Sequence, residues 1–103
     1  MRPLYDIAHG RAGDKGDTSN ISVIAYRVED WPLIQREVTA ERVAALFQRF
    51  GAVEVRRYEL PNLHALNFVI EEALGGGVNA SLALDRHGKT LSSFLLSEFQ
   101  IDE

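Results

Sequence analysis

Two periods of hydrophobic and polar residues run along this chain, and most of its elements follow from them. Ile21-Ser22-Val23-Ile24-Ala25-Tyr26 is rich in β-branched and aromatic residues and apolar on both faces. That pattern predicts a central strand. Leu4 to Ala8 reads as a short strand interrupted by Asp6. Asp30 is placed to cap a helix with Pro32 in its first turn. Val43, Phe47 and Phe50, with Leu46 beside them, recur at helical spacing between a Thr39 cap and a Gly51 stop. Val53 to Leu60 is the next strand. Its apolar parity changes from odd (Val53, Val55) to even (Tyr58, Leu60) across Arg56-Arg57. A bulge explains that change, and so does a strand partly apolar on both faces.

Pro61-Asn62 breaks this strand, and the alternation of Leu66, Phe68 and Ile70 predicts a strand returning beside it as a hairpin. A short helix capped by Asn62 is the competing reading. Val78, Ala80, Leu82 and Leu84 alternate as in a half-buried strand. Leu91, Phe94 and Leu95 fit one face of a helix, and Phe99 and Ile101 a last edge strand. Residues 20–101 therefore contain a βαββαβ order with one extra strand. This is the ferredoxin-like α+β sandwich, with helices on one face of an antiparallel sheet. Ile21–Tyr26 and Val53–Leu60 are expected as adjacent central strands. Val43, Phe47, Phe50, Phe68, Leu82 and Phe94 are expected to share one core.

Composition narrows the class. A chain of 103 residues with 46% hydrophobic content supports one domain, residues 1–103, with one core. A formal net charge of −4 argues against nucleic acid and anionic membranes as partners. The absence of cysteine fits a reducing cytosol, and no signal peptide or membrane-length apolar run is seen. A cytoplasmic location is the expectation.

The candidate chemistry lies in three polar segments. The first, His9 to Asn20, reads as a loop denser in glycine and charge than a turn needs. Its glycines free the backbone to aim N–H groups at one anion, and Arg11 and Lys15 add charge. Alternatively, Asp14 and Asp17 cap turns and pair with those cations. Neither G-x4-G-K-[ST] nor G-x-G-x-x-G is present. Asp14, Asp17 and Asn20 lack the order of a calcium loop, so no metal is expected. In the second segment His64 lies between Asn62 and Asn67 near a turn. A neutral His there can act as general base; the plain alternative is a buried His satisfied by a backbone carbonyl. No Ser or Cys nucleophile has a recognisable setting, and G-x-S-x-G is absent. His87 is expected in an exposed, solvated turn. The third segment, Gly75-Gly76-Gly77, permits close approach of a ligand or another backbone, or serves as a hairpin loop.

His9 to Asn20, Tyr58-Glu59-Leu60-Pro61-Asn62-Leu63-His64-Ala65-Leu66-Asn67-Phe68 and Ala73-Leu74-Gly75-Gly76-Gly77 together resemble the AtuA-like ferredoxin-fold domain. That domain is found at the C-terminus of acyclic terpene utilisation (AtuA) proteins and as a small free-standing protein. The resemblance spans Leu4 to Leu95. It implies a ferredoxin-like fold and an association with bacterial catabolism of terpenoid or other branched acids as CoA thioesters. It transfers no catalytic residue and implies no cofactor. The large N-terminal domain of the bigger proteins has no counterpart in this sequence.

The expected function is an accessory domain that binds or completes a site in an AtuA-type large protein and self-associates as a homo-oligomer. The alternatives are a small hydratase or hydrolase acting on an acyl-CoA, with His64 as base, and a purely structural oligomerisation module. The binding set is Arg11, Gly13, Asp14, Lys15, Gly16, Asp17, Thr18, Ser19, Asn20, Asn62, Asn67, Gly75, Gly76 and Gly77. An anionic small molecule is a candidate ligand near Arg11 and Lys15. His64 and the Arg11 to Asn20 segment are expected to approach each other, directly or across a subunit interface.

Overall fold

A computed structural model describes residues 2–15, 18–48, 53–72 and 91–102. In chain order the elements are β1 (Arg2–Pro3), β2 (Ala8–Lys15), β3 (Thr18–Ala25), α1 (Trp31–Glu37), α2 (Ala40–Phe47), β4 (Val53–Leu60), β5 (Ala65–Glu72), α3 (Leu91–Glu98) and β6 (Gln100–Ile101). Four strands form one antiparallel sheet in the order β2-β3-β5-β4. A separate ribbon pairs β1 with β6, Arg2 opposite Ile101. The fold is ferredoxin-like α+β, as expected. Phe50, Gly51, the triple glycine, the Val78–Leu84 strand and His87 lie outside the described residues.

Three expectations need correction. The His9 to Asn20 segment is not a loop. It is most of a β-hairpin, registered from Ala8↔Ala25 to Lys15↔Thr18. Glycine and short polar residues carry no strand signal of their own, and here the neighbouring β3 supplies the template. Leu4 to Ala8 is not a strand either. Leu4–Asp6 is a 3-10 turn that buries Leu4 and leads into β2. Finally, β3 and β4 are not adjacent, because β5 lies between them. β5 is apolar almost throughout and takes the centre. β4 carries Glu54, Arg56, Arg57 and Glu59, and charged strands suit sheet edges.

Among the described residues the core cluster forms on one face of the sheet. Ile21 and Val23 of β3 and Leu66, Phe68 and Ile70 of β5 are buried there. Ile34 of α1, Val43 and Phe47 of α2, and Leu95 of α3 pack against them. The Phe47 and Phe94 rings lie 5.3 Å apart in a tilted pair. Of the expected core, Val43, Phe47 and Phe68 are buried and Phe94 is half-buried against them; Phe50 and Leu82 are not described. Thr39 caps α2 as its position suggests, its Oγ1 accepting from the Arg42 N–H at 3.2 Å. Asp30 precedes α1 but makes no side-chain cap bond.

The parity change in β4 has a different cause from a bulge. Its register with β5 is unbroken from Val53↔Glu72 to Leu60↔Ala65. On the helix side Arg57 donates to the Val38 carbonyl at 3.1 Å and pairs with Glu59 at 3.1 Å. Glu59 also accepts from Gln35 of α1 at 2.7 Å. Polar contacts therefore close the core at this edge, and the apolar Tyr58 and Leu60 project from the opposite face.

Candidate functional site

Alternate residues along a strand point to opposite faces, so the register defines what the face left free by the described helices, the helix-free face, carries. One cross-strand row is Arg11, Ser22, Asn67 and Tyr58. The row beside it toward the β2–β3 tip is Gly13, Asn20, Val69 and Arg56. The row on the other side is His9, Ile24, Ala65 and Leu60. Five of the expected binding residues, Arg11, Gly13, Thr18, Asn20 and Asn67, therefore share one surface. The described helices pack on the other side of the sheet.

The polar half of this surface has a fixed centre. Asn67 Nδ2 donates to Ser22 Oγ at 3.0 Å, which leaves the Ser22 hydroxyl hydrogen free to donate elsewhere. Arg56 reaches Glu71 Oε1 at 3.3 Å. Its guanidinium pKa is raised above the ordinary value by a hydrogen bond to Tyr58 and then by the Glu71 carboxylate. Arg11 is exposed and makes no ion pair among the described residues. The other half is apolar. Tyr26 is 62% exposed and stacks on His9 with ring centroids 5.0 Å apart. Tyr58 and Leu60 are exposed as well.

Thr18, on the same face as Asn20, is half-buried opposite Lys15, while the other candidates fall elsewhere. Ser19 is buried on the helix side. Asp14 and Lys15 are strand residues whose side chains lie outside the description, as do Gly16, Asp17, Gly75, Gly76 and Gly77. Asn62 is exposed in the 3-10 turn Pro61–Leu63. His64 follows that turn in the left-handed region, at φ 50°. His is among the residue types that tolerate this conformation better than most. Its N–H donates to the Pro61 carbonyl at 3.1 Å, and its carbonyl accepts from the Ala25 N–H at 2.9 Å. The imidazole lies half-buried, 6.3 Å from the Trp31 ring, with no hydrogen bond among the described residues.

His64 thus sits at the Ala25 end of β3. The β2–β3 tip begins at Thr18, roughly 23 Å away along the strand at about 3.3 Å per residue. Within one chain, only the His9 end of the glycine-rich segment reaches the His64 end of the sheet. A strand also aims successive N–H groups in opposite directions, so residues 8–15 cannot form the converging backbone nest that a loop would offer.

Sequence reasoning missed Ser22 and Tyr58. The signals were present: Ser22 interrupts an apolar strand, and Tyr58 follows the parity change in β4. A separate cleft of about 360 Å³ is lined by Arg42, Ala45, Leu46, Glu98, Phe99 and Gln100. Its one cation is already engaged. Arg42 donates to the Glu37 carbonyl and carboxylate at 3.1 Å each and to the Gln100 carbonyl at 2.8 Å, and lies 4.3 Å over the Phe99 ring. Arg42 therefore holds α1, α2 and β6 together. Among the described residues no three His, Cys, Asp or Glu side chains cluster as metal ligands.

No curated protein matches this chain, and no solved structure does. A family model does match, over residues 2–101, and with it the chain belongs to the AtuA ferredoxin-like domain family.

Proposed function

We propose that this domain acts as an accessory module, binding or completing a site in an AtuA-type large protein through the helix-free face of its sheet. The observation that carries the reading is that one sheet face is covered by the described helices while the other holds exposed Tyr26, Tyr58 and Leu60 beside an Arg11 with no ion pair among the described residues. Aromatic residues and arginine are enriched where proteins bind one another. Membership of the AtuA ferredoxin-like domain family supports a protein of AtuA type as the partner. Catabolism of acyclic terpenoid or branched acyl-CoA compounds is the setting this reading implies. Asn20, Ser22 and Asn67 supply the polar centre of the contact, and self-association through the same face is the competing use of it. Gel filtration of the chain alone, of an AtuA-type large protein alone, and of their mixture tests the reading. Co-elution of the mixture supports it. Separate elution at micromolar concentrations overturns it.

A further inference from the structure

We propose that Gly13 floors a carboxylate-binding notch on the helix-free face, with Arg11, Asn20 and Ser22 as its donors. The inference rests on the accessory-domain reading for its biological use, but its geometry stands by itself. Gly13 faces away from the helices, opposite Asn20 and in the row next to Arg11 and Ser22. A Cβ built there meets nothing nearer than Asn20 Nδ2, at 3.8 Å, and the backbone is not in the left-handed region. Nothing within the described chain therefore demands glycine at this position. Glycine in a strand interior weakens the strand and often marks close approach by a ligand or another backbone.

Three of the described groups around the gap can donate. The Arg11 guanidinium has no ion pair among the described residues and can present two parallel N–H bonds. The Asn20 amide nitrogen borders the gap. The Ser22 hydroxyl accepts from Asn67 and so has its hydrogen to give. The nearby Arg56 is already held by Glu71, which leaves Arg11 as the unpaired cation among the described side chains of this face. One planar guanidinium with two neutral donors suits a monoanionic carboxylate. A phosphate dianion would draw on converging backbone N–H groups, and a strand does not supply them. The carboxylate is either a free small acid or an Asp or Glu of the large partner.

Acetate is the direct probe, followed by two-dimensional NMR of the full chain, with sodium chloride at matched ionic strength as reference. Saturable shifts at Gly13 and at the Asn20 side-chain amide are expected, weakened at least fivefold by Arg11→Gln. Gly13→Val fills the notch with a residue that strands favour, so the spectrum stays dispersed while the acetate shifts vanish. Shifts equal to those from chloride, unchanged shifts in Arg11→Gln, or a stronger response to phosphate than to acetate would each overturn the notch. The second arm adds acetate to the complex with an AtuA-type large protein. Displacement assigns the carboxylate to the partner; simultaneous binding assigns it to a free acid. If the large protein does not bind at all, the accessory reading falls, while acetate shifts at Gly13 still support the notch.

Discussion

Gly10 and Gly13 lie three residues apart on the same strand and face opposite sides of the sheet. A Cβ at Gly10 would lie 2.5 Å from the Ser22 carbonyl oxygen and 3.5 Å from both Leu96 Cδ1 and Ser92 Cβ of α3. A Cβ at Gly13 meets only Asn20 Nδ2 at 3.8 Å. The first glycine lets the sheet and α3 close on each other. The second has no such task among the described residues. One face of the sheet is finished by the fold itself, and the other carries apolar and donor groups that the described fold leaves uncovered.

The covered face should yield the largest stability losses. Phe47→Ala removes a buried aromatic and is expected to cost about 3–5 kcal/mol, read as a lower urea midpoint. An unmoved midpoint would remove Phe47 from the core. Gly10→Ala forces backbone to shift and is expected to cost about 1–3 kcal/mol. Thermal unfolding indistinguishable from the parent chain would contradict the close approach of α3. Thr39→Ala removes the α2 cap and should cost about 1 kcal/mol by urea denaturation. The open face should behave in the opposite sense. Gly13→Ala is expected to be neutral or to stabilise by about 0.4–1 kcal/mol, since it restricts the unfolded chain without a clash. A loss as large as that at Gly10 would erase the contrast between the two glycines.

Much of the fold was legible because burial on one face leaves a period in the sequence. The stripe of Val43 and Phe47, the Thr39 cap and the alternation of Leu66, Phe68 and Ile70 all map onto observed elements. β2 was illegible for a physical reason. Where α3 approaches, Gly10 must be small, and on the other face Arg11 and Gly13 are polar or absent side chains, so no hydrophobic alternation survives. Strand order was hidden too, because placing β5 at the centre depends on the tight Pro61–Leu63 turn and on β4's charges tolerating an edge. Of the candidate site, Arg11, Gly13, Asn20 and Asn67 lie in segments that read from sequence as a loop and a turn. Their common surface emerged only from the register, which joins Arg11, Ser22, Asn67 and Tyr58 across four strands. The sequence presents His64 as a candidate base, and its described contacts are those of a left-handed turn residue beside Trp31.

Titration calorimetry decides whether the helix-free face engages an AtuA-type large protein. The parent chain, the open-face variant Arg11→Glu/Tyr58→Ser and the helix-face variant Thr39→Ala are each titrated into the same large protein. The account predicts that the open-face variant, folded by circular dichroism, loses more than tenfold in affinity while Thr39→Ala binds like the parent. Equal affinity for the parent and the open-face variant would contradict it.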